Sequence, residues 1–326
     1  MNAMPDFRLF RPATAGEAVR LNVQNAASRF VAGGTDLLPN IRRGLFAPPV
    51  LIDLGSIPEM ATITESADGL RIGAGAALAK VAADPRVVAR LPALAQAALA
   101  VAGPTHRQAA TIGGNLCLDT RCRYYNQSEF WRDSINHCLK LDGDTCRVAP
   151  KSKRCYAAFS GDVAPALVVL GAEVEVLGEK GGRRLAIADL YSDDGMACLT
   201  LAPGELLVAV HVPFDDAWSS AYEKMRIRGS IDFPLSGVAV ALRREGSNVA
   251  GLRVACTGVA SRPFAIDGLE DLAGKPLDTA AYATLTDRVD LANRSMKTTV
   301  TDALFRRNVT PVLARRLVQR LWDTGA

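Results

Sequence analysis

The sequence predicts an α/β protein in two parts, followed by a smaller α+β domain. Between Phe30 and Leu54, a strand, a glycine turn, a helix and a second strand follow one another, in the order of a parallel βαβ unit. Short strands and helices then alternate as far as Val212. Near Trp218 the composition shifts to apolar strand-like runs, and the sequence is helical from Thr279 onward. With 326 residues the chain can form two or three domains with sizeable cores.

The overall composition is that of an ordinary globular protein and excludes several classes. Hydrophobic residues make up 49% of the chain and charged residues 22%. A net charge of +4 is too small to indicate a nucleic-acid-binding protein. No run approaches the ~18 apolar residues of a membrane span, and the N-terminus lacks the apolar core of a signal peptide. We therefore expect a cytoplasmic protein, in which clustered cysteines indicate metal or redox chemistry rather than disulfides.

The first βαβ unit carries a turn that can bind a phosphate. Thr14 and Glu17 fit a capping box, which predicts a helix over 15–24. The further predicted elements are a strand over 30–32, a tight turn over 33–36, a helix over 37–43 and a strand over 50–54. Glycines allow close approach of a ligand, and the following helix presents free N–H groups. A plain strand-to-helix turn is the alternative, and two glycines alone do not decide between them.

The middle of the chain adds a hairpin, a broken helical region and a second glycine turn. The Asp68–Gly69 pair predicts a hairpin, and residues 78–102 are helical with breaks near Pro85 and Pro92. Gly73–Ala74–Gly75 begins like a dinucleotide fingerprint, but Leu78 replaces the third glycine, so we reject a Rossmann site. The second glycine turn is Thr111–Asn115. Further elements are predicted as a helix over 163–170 and strands over 172–176, 183–187 and 206–212.

The C-terminal domain is predicted from two apolar runs and a basic helix. Strands are expected over 233–243 and 252–259, around a Gly246–Asn248 turn, with an amphipathic helix over 311–322. Four arginines of this region are interpreted as a solvated face, with subunit docking as the less favoured alternative: Arg306, Arg307, Arg315 and Arg316. Cys198 and Cys256 lie in apolar sequence and are expected to be inert core residues.

Five of the seven cysteines lie between Thr111 and Asp162. Cys122, Cys138, Cys146 and Cys155 have fifteen, seven and eight residues between them, and four thiolates can ligate a [4Fe–4S] cluster. Zinc is the rival, but its structural sites usually contain ligand pairs two to four residues apart. A segment without metal is the third possibility. His137 and Cys117 are interpreted as structural and are left out of the ligand set.

The surroundings of these four cysteines suit a cluster. Several aromatic residues can shield it from water. Eight Lys and Arg against five Asp and Glu between Asp119 and Tyr156 offset its negative charge. The excess positive charge can also steer an acidic electron donor, although a simply solvated surface explains it equally well.

The two glycine motifs together resemble those of the FAD-binding subunits of the xanthine dehydrogenase and carbon monoxide dehydrogenase group of molybdenum enzymes. The motifs are Ala32–Leu37 and Ala110–Asn115, and further matches are Pro203–Leu207, Tyr222–Lys224 and Arg226–Arg228. The resemblance covers nearly the whole chain. It implies a two-subdomain FAD-binding fold of the PCMH type, with subdomains at 1–56 and 57–217, and a CO dehydrogenase flavoprotein-like α+β domain at 218–326.

The resemblance also implies the residues of the flavin site. Both glycine turns would hold the FAD diphosphate through backbone N–H groups, and Asn115 would add its side-chain amide. The residues carried over by position are Phe30, Val31, Ala32, Gly33, Gly34, Thr35, Asp36, Leu37, Val101, Thr111, Ile112, Gly113, Gly114, Asn115, Asp162, Leu207 and Lys224.

The cysteine segment, at about 118–157, departs from most of the family, in which the second glycine turn leads quickly to the equivalent of Ser160–Asp162. Such an insertion resembles one branch of the family, the 4-hydroxybenzoyl-CoA reductases of anaerobic phenol breakdown. That resemblance implies an electron-transfer subunit without catalytic residues. Ferredoxin would supply electrons through the cluster and FAD to [2Fe–2S] clusters in a small subunit and molybdenum in a large one, within a heterohexamer of two three-subunit units.

Two alternatives to this reductase remain. One is the FAD subunit of an oxidative molybdenum hydroxylase that passes electrons to NAD or a quinone. The other is a zinc-stabilised binding module. The order of cluster and flavin on the electron path is also a hypothesis. It places the cluster first, because the segment is inserted directly into a flavin loop.

Overall fold

The computed structural model describes residues 4–324, and its first part is a three-stranded parallel sheet with two helices. The elements are β1 (Arg8–Phe10), α1 (Ala15–Gln24), β2 (Arg29–Val31), α2 (Leu37–Arg42) and β3 (Val50–Asp53). The predicted parallel pairing of β2 with β3 is confirmed, and β1, which was not predicted, pairs with the other side of β3. Thr14 caps α1 by accepting from the Glu17 N–H at 3.2 Å, as predicted.

The second part is a five-stranded antiparallel sheet in the order β4-β5-β8-β6-β7, accompanied by seven helices among the described residues. The elements are β4 (Ile63–Ser66), β5 (Gly69–Gly73), α3 (Leu78–Ala83), α4 (Pro85–Arg90), α5 (Pro92–Ala100), α6 (Pro104–Ala109), α7 (Ile112–Leu116), α8 (Glu129–Ser134), α9 (Val163–Val169), β6 (Glu173–Gly178), β7 (Gly181–Ala186) and β8 (Leu206–Pro213). The predicted breaks at Pro85 and Pro92 are confirmed, since each proline begins a new helix.

Two features of this second part differ from the prediction. Residues 104–109 form helix α6, which was not predicted. The second glycine motif is a short helix rather than a plain turn. Thr111 caps α7 by accepting from the Gly114 N–H at 3.0 Å, so the glycines lie in its first turn.

The C-terminal domain is a four-stranded antiparallel sheet covered by two helices. Its elements are β9 (Ser219–Met225), β10 (Ser236–Glu245), β11 (Asn248–Thr257), β12 (Phe264–Ala265), α10 (Thr279–Ala292) and α11 (Ala303–Thr324), with strand order β12-β11-β10-β9. Strand β9 was not predicted, and α11 begins at Ala303 with Pro311 in its interior. No helix within residues 4–324 is long and apolar enough to cross a membrane.

The interior contains one correction to the sequence interpretation. Arg306 is not part of a solvated face, because it is only 2% exposed. Its guanidinium donates to the carbonyls of Leu235 and Met296, each at 2.8 Å, and to the carbonyl of Gly258. The other three arginines of that group are exposed as predicted. Cys198 and Cys256 are buried, also as predicted.

Candidate functional site

A long cleft of about 610 Å³ runs between the two α/β parts and reaches the C-terminal domain. Its size is typical of a site for an organic cofactor or substrate. The turn after β2 and the start of α7 both line the cleft, and the loop between β9 and β10 contributes Ile231, Asp232 and Phe233.

Fifteen of the seventeen residues predicted for the flavin site line this one cleft. They are Phe30, Val31, Ala32, Gly33, Gly34, Thr35, Asp36, Leu37, Val101, Thr111, Gly113, Gly114, Asn115, Asp162 and Leu207. Ile112 instead belongs to the buried core. Lys224 lies behind the cleft wall and contacts it through Asp162, whose carboxylate is 3.1 Å from its Nζ.

Close backbone contact between the two glycine motifs requires Gly33. A Cβ atom at Gly33 would lie 1.8 Å from the carbonyl oxygen of Ala109, just before the second motif. Gly34 has a φ of +67°, which residues other than glycine rarely adopt. The two motifs are therefore held at a fixed distance by backbone contact, and only glycine permits that distance.

A buried polar cluster stands behind the cleft at the junction with the C-terminal domain. The Asp162 carboxylate accepts from Tyr222 at 2.7 Å and from Lys224 at 3.1 Å. Burial raises the pKa of Asp162 and lowers the pKa of Lys224, while the attraction between the two opposes both shifts. Through this cluster, strand β9 fixes the start of α9 against the cleft.

The cleft does not bind an anion through an excess of side-chain charge. Three arginines line it, together with five carboxylates: Asp36, Asp119, Asp162, Glu205 and Asp232. Several of these carboxylates have cationic partners, as Glu205 has in Arg183 at 2.8 Å. A bound diphosphate would consequently depend on backbone N–H groups, which agrees with the glycine motifs.

Sequence reasoning missed Arg121, which lies in the cleft wall at the start of the cysteine segment. Its side chain is 11% exposed and donates to Asp36 of the first glycine turn. Its buried Nε atom has no hydrogen-bond partner among the described residues. Arg121 belongs to the inserted segment, which most family members lack, so no family position corresponds to it. Its neighbours Asp119, Thr120 and Arg123 are polar or charged, so no local signal in the sequence distinguished it.

The four predicted cysteine ligands line a second, much smaller cavity. Cys138, Cys146 and Cys155 are buried, and Cys122 is half-buried. Two of the sulfur atoms accept backbone hydrogen bonds at 3.3 Å, Cys122 from Tyr124 and Cys155 from Ala157. The fold thus brings together four thiols that are up to 33 positions apart (155 − 122) in the sequence.

Four thiols are the donor set both of a [4Fe–4S] cluster and of a structural zinc site. Within residues 4–324, no three His, Cys, Asp or Glu side chains are grouped as ligands of one metal ion. In a [4Fe–4S] cluster each thiolate binds a different iron, so its four ligands stand farther apart than those of zinc. The space between the thiols is about 10 Å³, room for about one water. A cluster would therefore push the thiols outward. Burial raises the pKa of Cys155 to about 12, so this thiol is neutral without a metal.

The other residues singled out in the segment take different positions. His137 does not line the cavity, and its Nε2 lies 3.0 Å from Asp133. Cys117 lines the large cleft and packs on the main core, as expected for a packing role. Tyr124 and Tyr125 border the cysteine cavity, but Phe130 is 83% exposed, so it does not shield the cavity.

The inserted segment is tied firmly to the rest of the protein. Arg121 and Ala158 exchange backbone hydrogen bonds of 2.8 and 2.7 Å, which close the segment at its base. Farther along, buried Arg132 donates to the carbonyl of Gly44 at 3.2 Å. Cys117, Leu118, Asp119 and Arg121 line the cleft just before the chain reaches the cysteine cavity, so the two sites share a wall.

Two known protein families together match nearly the whole chain. The family described as the FAD binding domain in molybdopterin dehydrogenase matches residues 5–215, and the CO dehydrogenase flavoprotein C-terminal domain matches residues 220–321. These matches confirm the fold class predicted from the sequence.

Individual relatives span the same length. The aldehyde oxidoreductase FAD-binding subunit PaoB of Escherichia coli (strain K12) is 33% identical over 325 residues, 97% of this chain and 100% of PaoB. The carbon monoxide dehydrogenase medium chain of Hydrogenophaga pseudoflava is 28% identical, with 98% of each chain covered. A solved structure of carbon monoxide dehydrogenase from that organism superposes with a TM-score of 0.81 at 26% identity, covering 98% of this chain and 99% of the other.

Proposed function

For this chain, which belongs to the family of FAD-binding subunits of molybdopterin dehydrogenases, we propose a role in electron transfer. Electrons would pass through FAD and a [4Fe–4S] cluster to reduce 4-hydroxybenzoyl-CoA to benzoyl-CoA. The observation that carries the proposal is the convergence of Cys122, Cys138, Cys146 and Cys155 on one cavity beside the FAD cleft. An outward path from flavin to NAD or a quinone needs no such additional cofactor.

The residues of this chain bind and orient cofactors and do not touch the substrate. The glycine turns would hold the FAD diphosphate by backbone N–H groups, and the buried Asp162–Lys224 pair would fix the cleft wall at the start of α9. The four cysteines would hold the cluster, with backbone N–H groups already directed at two of their sulfur atoms. When bound, these cofactors supply one-electron and two-electron redox chemistry.

The reaction itself belongs to partner subunits. Two electrons and two protons replace the ring C–OH bond by C–H and release water. We assign the electrons to reduced ferredoxin, the [2Fe–2S] clusters to a small subunit and the molybdenum cofactor to a large subunit, in a heterohexamer. Exposed Lys151 and Lys153 on the inserted segment would attract an acidic ferredoxin. Reduction by ferredoxin should then slow as salt is raised, and a salt-independent rate would exclude this attraction.

Metal and flavin content of the purified complex test the cofactor assignment. The wild type should contain one FAD per copy of this chain. Replacing all four cysteines by serine should remove about four irons per copy while leaving the iron of the partner subunits. Zinc in place of that iron would reject the cluster and favour the zinc-stabilised module.

Substrate turnover tests whether electrons flow toward the aromatic substrate or away from it. Reduced ferredoxin should support conversion of 4-hydroxybenzoyl-CoA to benzoyl-CoA under anaerobic conditions. The relatives named above are an aldehyde oxidoreductase subunit and a carbon monoxide dehydrogenase chain rather than 4-hydroxybenzoyl-CoA reductases. This similarity favours a second candidate, the FAD subunit of an oxidative molybdenum hydroxylase. Oxidation of aldehydes with NAD or a quinone, without benzoyl-CoA formation, would establish the second candidate and reject the first.

A further inference from the structure

Lys140 occupies the wall between the cysteine cavity and the FAD cleft. It lies on the inserted segment, and its side chain is only 6% exposed. Its Nζ donates to Asp119 at 2.7 Å, to the Thr120 carbonyl at 3.1 Å and to the Gly195 carbonyl at 2.9 Å. Lys140 itself borders the cavity that the four cysteines line. A buried cation therefore stands beside the four thiols.

The partner carboxylate of Lys140 faces the other site. Asp119 lines the FAD cleft and accepts from the Tyr125 hydroxyl at 3.1 Å. The Tyr125 ring, in turn, lies with its centroid 4.7 Å from Lys140 Nζ and borders the cysteine cavity. The ion pair thus spans the shared wall in one orientation, with the ammonium toward the cysteines and the carboxylate toward the cleft.

We propose that the Asp119–Lys140 pair is a fixed dipole that sets the relative reduction potentials of the two cofactors. An electron added to a cluster makes it more negative, and a nearby cation stabilises that state. A carboxylate that lines the FAD cleft disfavours added negative charge on a flavin bound there. Solvent screens both effects only in part, because the Lys140 side chain is 6% exposed and the Asp119 side chain 26%. The pair therefore raises the cluster potential and lowers the flavin potential, and Lys140 and Asp119 are positioning residues for electron distribution.

This inference rests on the proposed function, because it requires both cofactors. A purely mechanical role is the rival explanation, since the same hydrogen bonds of Lys140 join the segment to Thr120 and Gly195. The two explanations differ in sign. If the pair only holds the segment in place, removing either partner should shift the reduction potential of the cluster in the same direction. A lost dipole end shifts the cluster potential in opposite directions for the two partners.

The test is a redox titration of the purified complex, with the reduced cluster followed by electron paramagnetic resonance and the flavin by absorbance. Lys140→Met should shift the cluster potential to more negative values, and Asp119→Asn should shift both the cluster and flavin potentials to more positive values. Lys140→Arg, which keeps the charge, should restore the wild-type cluster potential. Lys151→Met removes an exposed lysine of the same segment and should leave both potentials unchanged.

Each other result overturns the inference. Unchanged potentials in iron-loaded Lys140→Met, or shifts of the same sign for both partners, would reject the dipole. If Lys140→Met fails to load iron, Asp119→Asn decides alone, since it keeps the cation: a positive shift supports the dipole and no shift rejects it. Loss of iron from both variants would reject the dipole and leave a mechanical role for the pair. Wild-type protein without iron in this chain would overturn the proposed function as well, whereas unmoved potentials in loaded variants overturn only the dipole.

Discussion

The guanidinium of Arg121 donates to the carboxylate of Asp36, which joins the inserted segment to the first glycine turn across 85 positions of the sequence. Both side chains line the FAD cleft. The insertion therefore does more than carry cysteines, because its first cation neutralises a carboxylate next to the proposed diphosphate site.

Replacing Arg121 should weaken FAD binding. In Arg121→Gln, the Asp36 carboxylate loses its partner and repels the diphosphate. We expect FAD affinity to fall by about tenfold or more, since a hydrogen bond to a charged group contributes about 1.5–3 kcal/mol and about 1.4 kcal/mol corresponds to a factor of ten. The measurement is the dissociation constant of FAD, from fluorescence on re-addition to flavin-depleted protein. Arg123→Gln, two residues away with its guanidinium over the Tyr124 ring, is the control. Equal affinity in the two variants would contradict the prediction.

The contact at Gly33 leads to a second prediction. A methyl group at this position would lie 1.8 Å from the Ala109 carbonyl oxygen, so Gly33→Ala must separate the two glycine motifs. Overpacking of this kind costs about 1–3 kcal/mol, and the wider gap should also reduce bound FAD. Thermal unfolding and FAD content of the purified complex check both effects. In the control Gly182→Ala, the nearest atom is 3.6 Å away on an exposed strand. Full FAD content in Gly33→Ala would show that the motifs tolerate the added separation.

The parts of the fold that were predicted from the sequence are those set by residues close together in the chain. Capping at Thr14, the prolines that begin α4 and α5, and the parallel β2–β3 pair all follow from neighbouring residues and were predicted. Strand β9 was missed because its form depends on pairing with β10 and packing against α5. Helix α6 was missed although it has no buried residue and a local signal, Pro104 in its first turn, marks its start.

The candidate site divides in the same way. Fifteen flavin positions follow a motif shared with the family and line one cleft, whereas Arg121, Asp119 and Lys140 belong to or adjoin the insertion and depend on its tertiary packing. Arg306 shows the limit most clearly. An arginine on a basic helix is usually exposed, and only the three carbonyls that surround it make its burial favourable.

The proposed order of electron flow gives a third prediction. If electrons enter at the cluster, single Cys→Ser replacements at positions 122, 138, 146 and 155 should each slow reduction of bound flavin by reduced ferredoxin. FAD content should stay near the wild-type level, because the cysteine ligands do not line the flavin cleft. Stopped-flow absorbance of the flavin measures the rate. Cys256→Ala, at a buried cysteine of the C-terminal domain, is the control. An undiminished rate in all four variants would mean that ferredoxin delivers electrons to FAD directly.

Arg306 provides a prediction about stability. Arg306→Met should destabilise the protein by at least about 3 kcal/mol, since three buried carbonyls lose a donor and each costs about 1–3 kcal/mol. Arg307→Met, the adjacent exposed position that pairs with Asp290, is the matched control and should change stability little. Denaturant midpoints of both variants measure the difference. Similar midpoints would show that water or rearranged donors satisfy those carbonyls after the replacement.

Glu175 links three strands of the second sheet and gives a prediction about pH. Its carboxylate lies 3.1 Å from Arg71 on β5 and 2.8 Å from His211 on β8. Burial alone would raise the pKa of Glu175, but these two partners overcome it and hold the pKa below its usual value of 4.5. A carboxylate whose pKa is lower in the folded state stabilises the fold above the unfolded-state pKa, and that contribution is lost as pH falls through the folded-state pKa. The wild type should therefore exceed Glu175→Gln in stability at pH 7, and this gap should narrow as pH falls below about 4.5. Denaturant midpoints across that range measure the gap, with Glu173→Gln, exposed on the same strand, as the control for loss of a charge. A gap that stays constant with pH would mean that the strand contacts of Glu175 do not depend on its ionisation.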